Sequence, residues 1–150
     1  MSNDTYLVKQ ISIFSENKPG KLAYVAKVFQ DAGVNMLSFS IAEAEGFGVI
    51  RTLVDKPNLA FSALNEKGIH VAFTDVIAVR MKHEPGGLYE VASKLAEASV
   101  NIEYSYAFAG CHQATLILRV DDIDAAIDII QKNGAYVLKA EELLLSCKSE

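Results

Sequence analysis

The amino-acid sequence repeats itself at a fixed offset of 66 residues. Pro19-Gly20 falls on Pro85-Gly86, and Val34-Asn35 falls on Val100-Asn101. The same register holds without a gap for further pairs: Leu22 with Leu88, Val25 with Val91, Val54-Asp55 with Val120-Asp121, and Gly68 with Gly134. An offset kept by proline, glycine and asparagine together indicates a duplicated domain. We therefore expect two domains, residues 1–74 and 75–150.

Each half predicts the same order of elements. In the first half, Ile11 and Ile13 alternate with polar residues as in a half-buried strand. A helix follows with an apolar stripe of Leu22, Val25, Ala26 and Phe29, and Gly33 ends it. Strands at 34–44 and 47–54, joined at Glu45-Gly46, a helix at 57–67 and a strand after Gly68 complete the half.

The second half repeats this order at the same offset. A strand around Ile77–Met81 precedes a helix whose stripe is Leu88, Val91, Ala92 and Leu95, with Ser99 as a weaker stop than Gly33. Strands at 100–109 and 113–120, joined around Gly110-Cys111, a helix at 123–133 and a strand after Gly134 follow. Asp121-Asp122 should open that helix as caps and dipole partners.

The order βαββαβ, present twice, predicts an α+β fold. Right-handed crossovers place four antiparallel strands in one sheet with both helices on one face, the ferredoxin-like sandwich, here duplicated in tandem. Between Gly68 and His83 the sequence is strand-like and contains no linker, so we expect the domains to be held close and rigidly.

Composition and charge narrow the function. With 51% hydrophobic and 22% charged residues the chain is ordinary for a globular protein, and its net charge of −5 disfavours nucleic acid or an anionic membrane as the main partner. The N-terminus has no apolar signal core, and no apolar run approaches the ~18 residues of a membrane span, so we expect a cytoplasmic location. Cys111 and Cys147 do not suggest a secreted disulfide framework.

The two Pro-Gly loops carry the strongest functional signal. If Pro19 and Pro85 are the first helical residues, the caps are Lys18, which cannot accept a hydrogen bond, and Glu84, a mediocre cap. The backbone N–H groups that would then lack a side-chain partner belong to Gly20, Lys21, Leu22, Gly86, Gly87 and Leu88. Such donors suit an anion, for example a carboxylate, although Pro-Gly is also ordinary turn chemistry whose amides water can satisfy.

Asn35 and Asn101 open the second strand of each half. In this topology that point could approach the Pro-Gly loop of an adjacent domain, where a side-chain amide would meet a polar ligand. The alternative is a plain helix-to-strand turn, a position that suits asparagine.

These segments resemble the ACT domain, the regulatory amino-acid-binding module of many biosynthetic enzymes. The resemblance rests on Glu16-Asn17-Lys18-Pro19-Gly20-Lys21-Leu22 with Gly33-Val34-Asn35-Met36, and on Pro85-Gly86-Gly87-Leu88 with Val100-Asn101-Ile102. It implies a βαββαβ fold, association in pairs, and an amino acid bound where paired domains meet. Because no catalytic domain accompanies the repeats, it also implies a free-standing regulator of a metabolic enzyme or pathway.

The resemblance also assigns ligand contacts. Asn17 and Asn35 fall on the asparagine positions that contact small polar amino acids in such domains, and Asn101 keeps one of them in the second half. His83 replaces the other, so the two halves need not bind alike. The whole predicted site comprises residues 17–22 (Asn17, Lys18, Pro19, Gly20, Lys21, Leu22), 35–36 (Asn35, Met36), 83–88 (His83, Glu84, Pro85, Gly86, Gly87, Leu88) and 101–102 (Asn101, Ile102). No metal or cofactor is expected.

The sequence admits three other interpretations. RNA-recognition modules share this strand order, and Gly46-Phe47-Gly48-Val49 echoes one of their motifs, but Glu45 and Thr52 stand where a basic and an aromatic residue belong. An enzyme is disfavoured because His70, His83 and His112 have no metal-ligand spacing and Cys111-His112 is more simply a turn pair. A structural interaction or dimerisation module without a ligand is the third.

The second strands of the two halves place apolar residues on opposite parities. Leu37, Phe39 and Ile41 line one face, whereas the counterpart strand has Ile102, Tyr104, Tyr106 and Phe108 on the other. At least one strand should therefore turn apolar surface away from its own helices, and we expect a homodimer that covers it.

Overall fold

The computed structural model describes residues 3–109 and 113–146. The chain forms two compact units. The first unit is Lys9–Thr74, and the second comprises the described residues up to Val8 and from Asp75 onward.

The first unit contains a sheet with two helices. Its elements are β1 (Val8–Glu16), α1 (Lys21–Ala32), β2 (Met36–Ala44), β3 (Phe47–Val54), α2 (Pro57–Glu66) and the beginning of β4 (His70–Lys82). The strand order is β2-β3-β1-β4, and β3 pairs antiparallel with both β1 and β2.

The second unit repeats this arrangement. The end of β4 is followed by α3 (Gly87–Glu97), β5 (Ile102–Ala109), β6 (Gln113–Val120), α4 (Ile123–Lys132), β7 (Tyr136–Leu138) and α5 (Ala140–Ser146). β4 lies between β7 and β6, β5 is the outer neighbour of β6, and all these pairs are antiparallel. The predicted α+β fold, βαββαβ twice, is confirmed.

One apolar core lies between the sheet and the helices in each unit. In the first unit it includes Ile11, Ile13, Val25, Phe29 and Ile50, and in the second Ile77, Val79, Val91, Leu95 and Leu116 occupy the equivalent positions. Two members of the predicted helix stripes were wrong: Ala26 and Leu88 are exposed. Val28 is buried beside Phe29 instead, so the buried residues of α1 are Val25, Val28 and Phe29, with Leu22 packed against them.

The helix ends follow the predicted stops. Gly33 has φ 72° and Ser99 has φ 57°, so serine adopts the left-handed conformation that glycine takes in the first unit. The next amide then closes the helix in the same way in both units, Val34 N–H to the Phe29 carbonyl and Val100 N–H to the Leu95 carbonyl, each 2.9 Å.

Asp121 and Asp122 have different roles at the start of α4. Asp122 caps the helix, since its carboxylate accepts from the Ala125 N–H at 3.0 Å, as predicted. Asp121 has another role, because its carboxylate accepts from the Asn101 N–H at 2.9 Å.

Helix α5 was not predicted from the sequence. Its first turn holds Glu141 and Glu142, whose charges favour a helix N-terminus, and Leu143 is buried. Both carboxylate oxygens of Glu142 lie 2.9 Å from the Tyr136 hydroxyl, which ties α5 to β7.

The second strands present opposite faces, as their parities predicted. Phe39 stands opposite Thr52 and Ile41 opposite Ile50, a core residue on the helix side of the sheet. Tyr106 stands opposite Ile117, which lies between the helix-side residues Leu116 and Leu118 and therefore points the other way.

Candidate ligand-binding loops

The loop after β1 forms a type II turn, and α1 begins later than predicted. The prediction that Pro19 is the first helical residue was wrong: Gly20, with φ 90° and ψ −10°, is the N-cap, and α1 starts at Lys21. Pro19 and Gly20 take the two central positions of the turn, which suit proline and a residue of positive φ. The Lys21 N–H closes the turn onto the Lys18 carbonyl at 3.2 Å.

The loop after β4 has the same geometry. Gly86, with φ 91° and ψ −12°, is the N-cap of α3, which starts at Gly87 and not at Pro85. The Gly87 N–H donates to the Glu84 carbonyl at 3.0 Å. Both Pro-Gly pairs therefore make turns that precede the helices.

Some of the predicted backbone donors are free and others are occupied. The middle donor of each trio, Lys21 or Gly87, is used by its own turn. No side chain caps either helix, and within the described chain the N–H groups of Gly20, Leu22 and Ala23 have no acceptor. The open donors of α1 are therefore Leu22 and Ala23 in its first turn, with Gly20 before it.

A small cleft opens at the first loop. Its volume is about 110 Å³, and its lining combines the loop and the first turn of α1 with the neighbouring strands: Asn17, Lys18, Gly20, Lys21, Leu22, Ala23, Ile41, Gly48 and Ile50 among others. The loop is held against the β2–β3 hairpin because the Asn17 N–H donates to the Gly46 carbonyl at 2.9 Å. The open amides, an asparagine and apolar side chains thus share one concave surface.

Sequence reasoning missed the strand residues of this cleft. Gly48 was noted only for its likeness to an RNA-binding motif, yet an isolated glycine within a strand often marks a close backbone approach. A Cβ at Gly48 would make an ordinary contact with the Asn17 Cβ at 3.4 Å, so the missing side chain leaves that space to the cleft. Ile41 and Ile50 supply the apolar wall.

The two lysines of the first loop differ in their surroundings. The Lys18 ammonium lies 2.6 Å from the Glu16 carboxylate, and both groups are exposed. Their hydrogen bond, with the attraction of the charges, raises the pKa of Lys18 and lowers that of Glu16. Lys21 forms no ion pair among the described residues. Of the two, Lys21 is the cation open to a ligand.

Asn35 lies away from the loop of its own unit. It precedes β2 beside Asp55, at the opposite end of β3 from Gly48, and seven residues of an extended strand span about 23 Å. Its backbone is clamped to Asp55, since the Asn35 N–H donates to the carboxylate at 2.9 Å and the Asn35 carbonyl accepts from the Asp55 N–H at 3.1 Å. Asn101 and Asp121 repeat this clamp at 2.9 Å and 3.2 Å.

The clamp uses only the main chain of the asparagines. Within the described residues, the side-chain amides of Asn35 and Asn101 have no hydrogen-bond partner, and both residues are exposed. The helix-to-strand turn therefore needs only the backbone N–H and carbonyl at this position, which most residues could supply. It does not account for asparagine.

The remaining predicted contacts have diverse surroundings. Met36 and Ile102 pack partly against the core of their own unit. In the second loop His83, Glu84, Pro85 and Leu88 are exposed, whereas Gly87 is buried.

The strand residues beside the second loop differ from those beside the first loop. Ala114 stands at the position of Gly48 and Ala107 at that of Ile41. The predicted joint Gly110-Cys111 and the pair Cys111-His112 lie outside the described residues, so the counterpart of the Gly46 contact does too.

In the ranges 3–109 and 113–146, no three His, Cys, Asp or Glu side chains are grouped as metal ligands would be. His70 packs edge-on against Phe14, with ring centroids 5.2 Å apart. None of the helices in the described chain combines the length and apolar character needed to cross a bilayer.

Comparison with protein families decides the classification. The model of the ACT domain pair matches residues 6–146. The chain belongs to the ACT domain pair family. The resemblance drawn from the loop motifs is thereby confirmed, over nearly all of the chain.

Solved structures similar to this ACT domain pair support the fold. Protein BT0572 from Bacteroides thetaiotaomicron is 33% identical, with a TM-score of 0.90 and coverage of 95% of this chain and 99% of that one. The regulatory subunits of aspartate kinase from Thermus thermophilus (18% identity, TM-score 0.64, coverage 85% and 94%) and Thermus flavus (16%, 0.60, 83% and 90%) share the fold. No functionally curated protein matches the chain.

Proposed function

We propose that this ACT domain pair is a regulatory protein that binds a free amino acid and transmits its presence to a metabolic enzyme. The observation that carries the proposal is the uncapped first turn of α1, whose Leu22 and Ala23 amides have no acceptor and line the cleft that Asn17 shares. Family membership supports it, and aspartate kinase regulatory subunits share the fold.

The chemistry of the first loop fits an α-carboxylate. Two parallel N–H groups and the positive end of a helix dipole favour a negative charge at this point. Lys21 adds a cation without an ion-pair partner. The side chain of a bound amino acid would meet Ile41 and Ile50, in a cleft of about 110 Å³ that favours a small ligand.

Asn35 completes the site from a paired ACT domain of a second copy. Because it lies about 23 Å along the sheet from its own loop, it cannot contact a ligand held there. Its free, exposed amide is available to the loop of the partner copy in a homodimer. In this arrangement the ligand would lie where paired domains meet, as the resemblance implied.

Calorimetric titration of the full chain with each of the twenty amino acids tests ligand binding. Asn17→Ala should weaken binding of the active amino acid by about tenfold or more, the cost of one hydrogen bond to a charged ligand. Asn58→Ala, an exposed asparagine on α2, is the matched control and should leave binding unchanged. Absence of heat and of a thermal shift with all twenty would refute the proposal.

A mixing experiment tests the shared site. Asn17→Ala and Asn35→Ala chains should each bind weakly alone. Each mixed dimer should recover one of its two sites, because one site then carries both substitutions and the other carries neither. If mixtures bind no better than either variant, the two asparagines do not combine across copies.

Regulation requires that ligand and assembly be coupled. If the amino acid binds the dimer more tightly, it must strengthen dimerisation by the same factor. Sedimentation equilibrium with and without the amino acid measures that factor directly. If the dimer dissociation constant is the same with and without saturating amino acid, this route of signalling is refuted.

A further inference from the structure

A second cleft recurs at equivalent positions in both units. In the second unit it has a volume of about 600 Å³ and lies beside α3, where the end of β4 and the start of β7 meet the first helical turns. In the first unit the positions 66 residues earlier line a cleft of about 290 Å³. The two differ from the small cleft at the first loop, which opens toward β2 and β3.

Substitutions between the repeats explain the difference in size. Gly87 stands where the first unit has Lys21, and Glu90 stands where it has Tyr24. A Cβ on Gly87 would overlap the Lys82 carbonyl oxygen and lie 3.1 Å from its carbon, so this wall of the cleft must remain without a side chain. The enlargement is therefore built into the backbone of the second loop.

The enlarged cleft concentrates positive charge in an acidic protein. Three basic side chains and one acidic side chain line it, a net charge of +2, whereas the chain as a whole carries −5. The basic residues are Arg80, Lys82 and Lys94, and the acidic one is Glu90. Lys94 lies 3.5 Å from Glu97, and the charge of Arg80 contributes to lowering the pKa of Glu142, but Arg80 and Lys82 form no ion pair within the described chain.

Arg80 is held in place by an aromatic contact. Its guanidinium carbon lies 5.1 Å from the centre of the Tyr136 ring, and the Tyr136 hydroxyl is bound to Glu142 of α5. The guanidinium is half-buried and keeps its hydrogen-bonding edge for a ligand, since a ring face does not occupy that edge. In the first unit the equivalent pair is Phe14 and His70, so a phenyl ring stands in place of the guanidinium.

We propose that this cleft is a second ligand site, specific to the second unit, for a small organic anion with an apolar body. Arg80 and Lys82 would bind a carboxylate or phosphate group, and the exposed ring of Tyr136, which stands opposite Arg80 and lines the same cleft, would contact the apolar part. The volume lies within the range of ligand pockets. The site would make the pair responsive to two different molecules.

Nuclear magnetic resonance titration of the full chain at low ionic strength tests the site. The probes are phenyl phosphate, benzoate and inorganic phosphate, and the reporters are the amides of Gly87, Gly134 and Ala135 in the cleft wall. We expect phenyl phosphate or benzoate to shift these amides, and whichever binds more tightly identifies the charged group. The proposal is overturned if neither phenyl phosphate nor benzoate shifts these amides. It is also overturned if inorganic phosphate binds as tightly as phenyl phosphate.

Charge variants distinguish a specific anion site from general electrostatic attraction to the protein surface. Arg80→Gln should weaken binding by about tenfold or more, and Lys82→Gln, at an exposed residue, provides a second test if the first variant folds poorly. Lys132→Gln removes the same charge from the exposed surface of α4 and should change binding less than twofold. Equal losses in all three variants would contradict the assignment. Asn17→Ala should leave anion binding unchanged, so this site and the amino-acid site fail independently.

Discussion

Gly87→Ala should destabilise the protein although its backbone angles suit alanine. Gly87 and Gly48 both lack a positive φ, so only space distinguishes them. At Gly87 the new methyl group overlaps the carbonyl oxygen of Lys82, the residue that ends β4 and pairs with Gln113. The strand end must move to make room.

The expected magnitude follows from two opposing terms. Overpacking costs about 1–3 kcal/mol, and the reduced freedom of the unfolded chain offsets about 0.4–1 kcal/mol of that. The net loss of about 1–2 kcal/mol should lower Tm by about 2–8 °C if the chain unfolds as one cooperative unit of its size. Thermal denaturation followed by circular dichroism measures this, together with urea titration to check that the m-value is unchanged.

Gly48→Ala is the matched control. Its Cβ would make an ordinary contact, 3.4 Å from the Asn17 Cβ, so the variant should be as stable as the wild type or more stable by up to about 1 kcal/mol. It should nevertheless weaken amino-acid binding, because the methyl group narrows the first cleft. The opposite order of stabilities, with the Gly87 variant above the Gly48 variant, would refute the steric reasoning.

Three further predictions concern stability. Ser99→Gly should raise the free energy of unfolding by about 1 kcal/mol, because serine is strained at φ 57°; a urea titration showing no gain would contradict this. Asp55→Ala should lower it by about 0.5–1.5 kcal/mol by removing the acceptor of the Asn35 N–H, whereas an unchanged urea midpoint would show that water replaces the carboxylate. The Tyr136 hydroxyl holds the pKa of Glu142 below its usual range, so this contact stabilises fully above the ordinary glutamate pKa of about 4.3 and is lost as the pH falls through the lowered value. Tyr136→Phe should therefore flatten the acid limb of the stability curve between about pH 5 and the acid transition, and an unaltered limb would exclude the contact.

The fold could be predicted well from the sequence because the signal for each helix and strand occurs in both halves. Gly33 and its counterpart Ser99 both end helices, although serine alone is a weak signal. The start of α1 was misplaced by two residues because Pro-Gly suits both a helical first turn and a type II turn. Helix α5 has no counterpart at the offset of 66, so the repeat gave no reason to expect it.

The candidate site was predicted less completely. The loops and asparagines come from short local motifs, and the structure places Asn17 on a cleft. Gly48 and Ile41 reach that cleft through strand pairing, which depends on register and is invisible in local sequence. The distance between Asn35 and its own loop is likewise a property of the sheet, which no local pattern contains.

The clamps at Asn35 and Asn101 use the main chain of the asparagines and leave their side chains without a structural role. The backbone N–H groups of residues 35 and 101 donate to the carboxylates of Asp55 and Asp121, so the fold does not depend on the side chains at positions 35 and 101. If these side chains contact the ligand, as proposed for Asn35, exchanging them should change the ligand preference without a loss of stability. A library randomised at these two positions should yield well-folded proteins with altered amino-acid preference, which makes the pair a starting point for engineered sensors.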